Sequence, residues 1–480
     1  MINKVLFLNP PFVRYDGVEG QGGKTAPLNL AYLAAHLRQK HGELDISILD
    51  CEALNMSYEK IRNKISEINP DVVAITFPTP VYNQIKTIVK DIKGIRHDIV
   101  IVVGGPHPTI STSETLVDIA EIDFAVMGEG EETLTELVGF LISGKKNYDE
   151  ILGLAFRQSD GGIIVNELRP LIADLDSLPF PARDLLQMEI YYLPPTKVVD
   201  NGQFINIISG RGCPYSCAFC TAESVWRRRY RVRSVENVIE EMSQCIKNYS
   251  ATSFNFHDEL FTADLNRVRN FCNEIKQRGW DISWTIQARV DSINDEILAL
   301  MRLAGCKRIG FGFESGSQRI LNKICKGATL DQARKAVELC RKNDIMVSGA
   351  FIIGYLDEDP WTVNQTINFA CSLDLDTAAF FIAIPYPGTR MYTEAKANGY
   401  IRSDFDWSDF CSVSNHIPPM DQPDLSSDEL LRLKRKAFLK FYLRPKYIWY
   451  RLRKIKSGSD LINIFRGLKI FKNVLDKNNP

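Results

Sequence analysis

Short apolar runs alternate with longer amphipathic segments along most of this 480-residue chain. An apolar run bounded by turn residues is typical of a buried strand, and an apolar residue at every third or fourth position is typical of a helix. The alternation comes in two series, one before about residue 145 and one after about residue 199, and each predicts an α/β unit with a mainly parallel sheet. A chain of this length is too long for one ordinary core, so several domains are expected.

The first series predicts an open, doubly wound sheet over residues 1–145. Its runs at 72–77 and 99–103 contain no charged residue, as suits strands covered by helices on both faces. Ligands of such sheets bind at the carboxyl ends of the strands. The predicted strands are 5–8, 45–49, 72–77, 99–103 and 124–127, and the predicted helices are 28–40 and 57–68.

The second series predicts a partial barrel over residues 199–400. Its six β/α units are fewer than the eight of a closed barrel. Between the two series, residues 146–198 are predicted to form a linker, because 174–184 is acidic and rich in proline. The predicted barrel strands are 205–209, 253–257, 282–288, 308–313, 346–353 and 378–384.

Charge and hydropathy exclude several classes of protein. The net charge is -1, so nothing in the charge balance predicts a nucleic-acid partner. No apolar run approaches the roughly 18 residues of a membrane span. The N-terminal run at 5–8 stops at Asn9-Pro10-Pro11 and has no cleavage site of a signal peptide. A cytoplasmic location is therefore expected.

Three of the eleven cysteines lie together, at Cys213, Cys217 and Cys220. An odd number with irregular spacing does not predict a disulfide framework. The other eight occur singly in apolar or amphipathic segments, where small buried residues are expected: Cys51, Cys245, Cys272, Cys306, Cys325, Cys340, Cys371 and Cys411.

The three clustered cysteines follow the predicted strand 205–209 directly, at the end of a barrel strand where chemistry is usual. Thiolates suit soft metals, and three of them can hold one iron–sulfur cluster. With no fourth cysteine nearby, one iron would stay open to a small molecule. The alternatives are a zinc site, which normally needs four ligands, and three buried cysteines without a metal.

The segment Arg211-Gly-Cys-Pro-Tyr-Ser-Cys-Ala-Phe-Cys220 resembles the signature of the radical S-adenosylmethionine (SAM) superfamily. The resemblance implies a [4Fe-4S] cluster on Cys213, Cys217 and Cys220, with SAM bound to the open iron. It also implies that one electron cleaves SAM to methionine and a 5′-deoxyadenosyl radical, which takes hydrogen from a substrate. Phe219 would lie against the adenine of SAM.

Further residues at the ends of later barrel strands agree with this family. Asp258 or Glu259 could accept from the SAM ammonium, and Arg289 could pair with its carboxylate through two hydrogen bonds. Each alone is more often an ordinary ion pair, but together they favour a site. The resemblance assigns to SAM the following residues: Phe219, Glu259, Arg289, Glu314, Gly349 and Gly354. The role of Glu358 stays open, because the chain departs from the family pattern there.

Two glycine-rich turns mark the N-terminal domain, Gly104-Gly-Pro-His-Pro-Thr109 and Gly128-Glu-Gly-Glu131. Such turns let a planar ligand or a phosphate approach the backbone, although simple turn chemistry explains either one alone. Placed before a radical SAM barrel, they resemble the Rossmann-like domain of the cobalamin-binding radical SAM family. The resemblance implies that these residues contact cobalamin: Thr76, Gly104, Gly105, His107, Gly128 and Gly130.

The Asp-x-His-x-x-Gly motif, which supplies a histidine ligand to cobalt in many cobalamin proteins, does not occur in the sequence. Cobalt is therefore expected to lack a histidine beneath it. His36 and His41 are expected to be ordinary surface residues.

The C-terminal extension, residues 401–480, is predicted to be helical and basic. Ser427 can cap a helix, and residues 431–472 hold fourteen Lys and Arg against one acid, Asp460. This segment could lie on an anionic membrane, cover the barrel mouth, or pack on the body of the protein. It resembles the tails of family members that act on lipids or porphyrins, the hopanoid-modifying enzymes and the anaerobic magnesium-protoporphyrin ester cyclase.

The resemblance implies cobalamin-dependent methyl transfer to an unactivated carbon of a lipid-like, porphyrin or other small molecule. An external electron donor such as flavodoxin or ferredoxin is expected, with peripheral contact to the inner face of the membrane. A radical cyclase or rearrangement enzyme without methyl transfer is one alternative. A non-catalytic iron–sulfur or zinc scaffold is the other.

Overall fold

The computed structural model describes residues 2–12, 23–194, 197–200, 202–413 and 417–453, the last four of these without side chains. The chain divides into two compact units. The first consists of Met1–Val13, Lys24–Tyr191 and Ser224–Arg227, and the second holds the remaining residues. Among the described helices, none is both long and apolar enough to cross a membrane.

A seven-stranded sheet with the order β2-β1-β3-β4-β5-β6-β7 forms the first unit. β1 to β5 are parallel, and the last two strands are antiparallel. The strands are β1 (Lys4–Asn9), β2 (Asp45–Asp50), β3 (Val72–Thr76), β4 (Val100–Gly104), β5 (Phe124–Val126), β6 (Leu154–Arg157) and β7 (Ile163–Val165). The helices are α1 (Leu28–Lys40), α2 (Tyr58–Ile68), α3 (Tyr82–Ile95), α4 (Pro106–Ile110), α5 (Thr112–Asp118) and α6 (Glu131–Ser143).

The second unit holds a six-stranded, all-parallel sheet with the order β15-β14-β13-β12-β11-β8, curled into a half-barrel. A two-stranded ribbon, β9 with β10, stands apart from it. The strands are β8 (Gln203–Ile207), β9 (Gly210–Arg211), β10 (Arg231–Val232), β11 (Ala251–Phe256), β12 (Ser283–Ala288), β13 (Cys306–Glu314), β14 (Met346–Ile353) and β15 (Thr377–Ile382).

Helices connect the half-barrel strands and continue into the C-terminal extension. They are α7 (Ala222–Trp226), α8 (Val235–Tyr249), α9 (Leu265–Gln277), α10 (Asp295–Leu303), α11 (Gln318–Lys323), α12 (Leu330–Lys342), α13 (Pro360–Ser372), α14 (Arg390–Ala397), α15 (Ser427–Tyr442) and α16 (Pro445–Arg453). The predicted architecture, a doubly wound α/β domain followed by a partial barrel and a helical extension, is confirmed.

Carboxylates fix strand register at the amino edges of both sheets. Asp71, just before β3, accepts from the backbone N–H groups of Asn3 and Lys4 at 2.8 and 2.9 Å. Asp123 accepts from Ile101 N at 2.8 Å. Asp376, just before β15, accepts from Val347 N, on β14, at 2.8 Å. These bonds tie each strand to its neighbour at the edge opposite to the carboxyl ends.

Part of the segment predicted as a linker forms β6 and β7. Leu154, Ala155 and Phe156 are buried and pair with β5, so this stretch extends the first sheet. Its apolar alternation is too short to stand out from sequence alone.

Several local expectations were wrong. The N-cap of α15 is Ser426, whose side chain accepts from Glu429 N at 3.3 Å, and Ser427 is the first helical residue. His36 is buried, and its Nδ1 lies 2.9 Å from Thr135 Oγ1. Cys325 is exposed, because it follows α11 in a turn with a φ of 55°. Cys371 is only half-buried, whereas the other six single cysteines are buried.

The αβ connection after α10 docks on β12. Trp284 Nε1 donates to Ala304 O at 2.7 Å, and Trp284 N donates to Gly305 O at 3.1 Å. Gly305 has a φ of 96°, and a Cβ there would lie 2.2 Å from Ile282 O. Gly279 also has positive φ, at 62°, but a Cβ there would have open space around it.

Gly305→Ala should therefore lower the melting temperature much more than Gly279→Ala. The Gly279 change introduces only the backbone strain of a left-handed alanine, about 1 kcal/mol, whereas the Gly305 change adds a collision with backbone. Thermal unfolding of the two variants, followed by circular dichroism, measures the difference. Equal shifts in the two variants would contradict this account of the α10–β13 turn.

Candidate functional site

The three clustered cysteines lie in a loop that is closed at its base by the β9–β10 ribbon. Arg211 pairs with Arg231 and Gly210 with Val232, so the ends of the loop stay together. The loop follows β8 at the carboxyl edge of the half-barrel. Cys213, Cys217 and Cys220 are all half-buried in it.

Backbone bonds fasten the middle of this loop to two neighbouring segments. Ala218 N donates to Ile324 O at 2.9 Å, and Met391 N donates to Ala218 O at 3.0 Å. Arg390 also donates to the carbonyl of Ser216. Phe219 packs against the apolar cluster that contains Ala218 and Ile324. The loop is thus held by the segment after α11 and by the start of α14.

The thiols of the loop lie within range of one another's charge. Burial raises the pKa of Cys220 to about 11, and Cys217 and Cys213 add to that shift. Burial also raises the pKa of Cys217, while Lys326 and Arg289 act in the opposite direction. Two cations beside a half-buried thiol favour the thiolate that a metal needs. In the described part of the chain, no three His, Cys, Asp or Glu side chains are arranged around a single metal ion.

The two acids after β11 have different environments. Asp258 is buried and accepts from Ser209, from its N–H at 2.7 Å and its hydroxyl at 2.5 Å. Glu259 is exposed and accepts from Gly212 N at 3.0 Å. Asp258 therefore fixes the β8–β9 corner, and Glu259 is the acid of this pair that solvent or a ligand can reach.

Arg289, after β12, is already paired within the protein. Its Nε and Nη2 donate to the two oxygens of Asp291 at 2.9 and 2.8 Å. Nη2 also donates to Lys326 O at 2.7 Å. The guanidinium lies 3.7 Å from the ring centroid of Tyr215, which is in the cysteine loop. Arg289 thus links the end of β12 to that loop by a cation–π contact.

Glu314, at the end of β13, forms a buried ion pair with Lys326, with Oε1 and Nζ 2.7 Å apart. The backbone of Glu314 has a φ of 62°, which is unusual for a residue other than glycine. A Cβ at Gly312 would lie 2.3 Å from Glu314 Oε1, so a side chain there would displace the carboxylate from its present position. The sequence alone assigned no role to Lys326 or Gly312, because their contacts with Glu314 form only when the strand end and the following turn meet.

Two glycines assigned to SAM have packing roles within the protein. A Cβ at Gly349 would lie 2.9 Å from the ring of Phe313, and one at Gly354 would lie 2.5 Å from Leu430. Glu358, whose role was open, accepts from the N–H groups of Gly354 and Tyr355 at 2.7 and 3.1 Å. Protein side chains therefore account for both glycines without a ligand.

In the first unit, the two glycine-rich turns meet at the carboxyl edge of the sheet. Thr109 Oγ1 donates to Gly105 O at 2.8 Å and accepts from Gly128 N at 3.1 Å, so one hydroxyl joins the turns. Gly105 has a φ of 95°, and a Cβ there would lie 2.6 Å from Thr76 Oγ1. Gly128 has a φ of 73°, and a Cβ there would meet nothing within 4 Å.

The remaining two glycines of these turns differ in their surroundings. A Cβ at Gly130 would lie 3.1 Å from Leu33, whereas one at Gly104 would make only ordinary contacts. The open backbone beside Gly128 fits the approach of a broad, flat ligand.

His107 lies beneath this edge and does not project from it. It is 1% exposed, stacks on Phe77 at 5.5 Å, and has Nδ1 3.1 Å from Thr79 Oγ1. Burial lowers its pKa to about 4, so the imidazole is neutral. Its position is that of a core residue.

Comparisons with known proteins agree with the two units. The profile of the B12 binding domain matches residues 18–138, and that of the Radical SAM superfamily matches residues 207–370. An uncharacterised methyltransferase of Pyrococcus horikoshii is 37% identical over 449 residues, covering 93% of this chain and 94% of the relative. The anaerobic magnesium-protoporphyrin IX monomethyl ester cyclase of Rubrivivax gelatinosus is 29% identical, covering 95% of this chain and 80% of the relative.

Among solved structures, the chain is similar in fold to TsrM of Kitasatospora setae, a radical S-adenosylmethionine methyltransferase with cobalamin and a [4Fe-4S] cluster bound. The TM-score is 0.68 and the sequence identity 20%, over 90% of this chain and 82% of that one.

The environment of Asp258 predicts a pH-dependent stability. Burial raises its pKa to about 6, above the value of about 3.9 for an unfolded aspartate. Because the folded protein keeps this proton to the higher pH, the stabilisation is complete below about pH 4 and is lost by about pH 6. The change is about 3 kcal/mol.

Asp258→Asn keeps a neutral side chain and should remove this contribution. Urea unfolding at several pH values measures the difference in stability between wild type and variant. That difference should fall between pH 4 and 6. Asp281→Asn, at an exposed aspartate before β12, is the matched control and should change the stability little, as is usual for a surface substitution. A pH-independent difference for Asp258→Asn would show that the carboxyl does not titrate in this range.

Proposed function

This chain belongs to the cobalamin-binding family of radical SAM enzymes, and from that premise we propose that it transfers a methyl group to an unactivated carbon of a small molecule. The membership confirms the resemblance inferred from the cysteine loop and the glycine-rich turns. The observation that carries the proposal is the match along nearly the whole of both chains to a relative named as a methyltransferase.

Cys213, Cys217 and Cys220 would hold a [4Fe-4S] cluster, since thiolates are the usual protein ligands of such clusters. Lys326 and Arg289 beside Cys217 would offset the negative charge of three thiolates. Three ligands leave one iron for SAM. When bound, the cluster supplies the electron that cleaves SAM to methionine and a 5′-deoxyadenosyl radical.

Polar groups at the ends of β11, β12 and β13 would bind SAM. Glu259 offers an exposed carboxylate to the ammonium group. Arg289 uses Nε and Nη2 on Asp291, so we propose that Nη1 alone contacts the SAM carboxylate. Glu314 has one oxygen on Lys326 and could offer the other to the ribose or methionine part. The half-buried ring of Phe219 would lie against the adenine.

The carboxyl edge of the first sheet would bind cobalamin. Thr76, Gly104, Gly105, Gly128 and Gly130 would line the corrin, and the open backbone at Gly128 supports this. When bound, cobalamin supplies a carrier for the methyl group. His107 is assigned no contact in this proposal, since its side chain is buried beneath the turns.

A second candidate is a radical cyclase that forms a ring without methyl transfer. It is favoured by the similarity to magnesium-protoporphyrin ester cyclases, which extends over 95% of this chain in one case. This similarity supports a porphyrin as substrate, and the basic C-terminal extension supports a lipid-like molecule as the other proposed class. Either reaction needs one electron for each SAM cleaved, and we propose an external donor such as flavodoxin or ferredoxin.

We assign the proposed membrane contact to α16 and not to the whole basic segment. Lys436 donates to Asn364 Oδ1 at 2.7 Å, and Lys440 and Arg444 also donate to residues of α13. These basic side chains of α15 and the following turn therefore pack against α13 of the half-barrel unit. In α16, Ile448 and Trp449 are exposed beside basic residues, as suits an interfacial helix. The basic residues at 454–472 lie outside the described residues.

Anaerobic reconstitution tests the cluster. The wild type should bind about four irons per chain and cleave SAM to 5′-deoxyadenosine. Replacing Cys213, Cys217 or Cys220 with Ala should abolish both, because each supplies a ligand. Cys325→Ala is the matched control, since this exposed cysteine lies outside the loop. Iron and SAM cleavage retained in the three loop variants would refute the assignment.

Isotope transfer separates the candidate reactions. With SAM labelled in its methyl group, methyl transfer predicts label in the product, and cyclisation predicts an unlabelled product with loss of hydrogen. Iron binding without any SAM cleavage would instead favour a scaffold.

Sedimentation with vesicles tests α16. The double substitution Ile448→Ser with Trp449→Ser should reduce binding to phosphatidylglycerol vesicles several-fold at low salt, because it removes the apolar anchor. Trp361→Ser is the control, as Trp361 is an exposed tryptophan on α13. Equal binding by wild type and the double variant would remove α16 as the contact.

A further inference from the structure

The concave face of the half-barrel is polar across β8, β11, β12 and β13. The strand register aligns Asn206, Asn255, Thr285 and Arg308 in one row. Thr285 Oγ1 donates to Asn255 Oδ1 at 2.6 Å. The intervening side chains face the helices, as the packing of Trp284 on Phe271 of α9 shows. Successive side chains of a strand point to opposite faces of the sheet, so the polar row lies on the concave face of the half-barrel.

His257 continues this concave face at the carboxyl end of β11. Its N–H donates to Ile207 O at 2.8 Å, which extends the strand pairing by one residue. Because His257 lies two positions after Asn255, its imidazole is on the same face. The side chain is exposed and forms no hydrogen bond or ion pair with any residue described.

Lys197 lies over the same face. It interacts electrostatically with Arg308 on β13 and with His257 at the end of β11, and β12 separates these strands. Neighbouring strands are about 4.8 Å apart, so Arg308 and His257 are separated by two such spacings. A single lysine can interact with both only if its side chain lies on the concave face. No carboxylate in the described part of the chain pairs with Lys197.

Lys197 and His257 are both accessible to solvent, yet burial lowers the pKa of His257 to about 4 and also lowers that of Lys197. Both side chains are therefore partly surrounded by protein and still open to water. The ammonium group of Lys197 can therefore meet an anion from solution, and their attraction is stronger where protein partly excludes water. No carboxylate among the described residues pairs with Lys197, so an anionic ligand can bind beside it.

We infer that Lys197 and His257 bind a carboxylate or phosphate group of the substrate inside the half-barrel. Lys197 supplies the charge, and the neutral imidazole of His257 donates one N–H. The inference rests on the proposed function only in taking the bound molecule to be the substrate. It adds that this substrate is anionic.

The rest of the concave face leaves room for an apolar part of the same molecule. Ala350 on β14 is aligned with Ala379 on β15, and Ala379 is exposed. These short side chains lie across the curl from the basic pair. An amphipathic substrate with one acidic end fits both surfaces.

Calorimetric titration of the anaerobic, cluster-loaded full-length protein tests the inference with three probes: octanoate, octyl phosphate and uncharged octanamide. Octanoate or octyl phosphate should bind, and octanamide should bind about tenfold more weakly, since the neutral amide cannot form an ion pair with Lys197. The tighter of the two anions identifies the acidic group.

Lys197→Met should weaken the binding of the preferred anion by about tenfold or more, and His257→Gln by a smaller factor. Lys276→Met, which removes the same charge from an exposed position on α9, should leave binding unchanged. Iron content and circular dichroism establish that each variant is folded and loaded. Absence of anion binding to the wild type, or equal binding by wild type and Lys197→Met, would overturn the inference.

Iron binding and SAM cleavage are measured on the same preparations. A wild type that lacks both would refute the proposed function. If the wild type has both but Lys197→Met binds anions normally, only the anion site is refuted.

Discussion

Restraint of one loop is the condition on which the rest of the site depends. Three thiols can serve one cluster only if the loop that carries them keeps its shape. Here the base of the loop is closed by the β9–β10 ribbon, and its middle is bonded to Ile324 and Met391. Tyr215 adds a contact to Arg289. The half-barrel therefore contributes three separate supports to a loop that follows its first strand.

Charge around this loop is balanced in pairs inside the protein. Glu314 is paired with Lys326, and Arg289 with Asp291, so each cation near Cys217 already has a partner. Buried pairs of this kind add little net stability, but breaking one leaves a costly unpaired charge. A ligand that binds here must share these groups, which limits it to positions where a donor or acceptor atom is left over. Lys197 and His257 differ, since no carboxylate among the residues that the structure describes pairs with them.

The amino edge and the carboxyl edge of each sheet carry different kinds of residue. At the amino edges, Asp71, Asp123 and Asp376 accept backbone N–H groups and fix the register of neighbouring strands. At the carboxyl edges, the connections carry the cysteines, the glycine-rich turns and the strand-end acids. Because parallel strands present all their carboxyl ends on one edge, residues far apart in the chain meet there. The carboxylates that fix register and the residues proposed to bind ligands thus lie at opposite edges of the sheets.

The sequence by itself determined the α/β architecture, most strand positions and the position of the cysteine loop, because periodicity and short spacings are local properties of the chain. It did not reveal that Asp258 accepts hydrogen bonds from Ser209, that His107 is buried, or that the ring of Phe313 packs closely on Gly349. Nor did it indicate that α15 packs on α13 or that Lys197 lies over the concave face of the half-barrel. Each of these depends on contacts between residues tens of positions apart or more, and only the tertiary structure decides which polar groups meet a partner and which are left for a ligand.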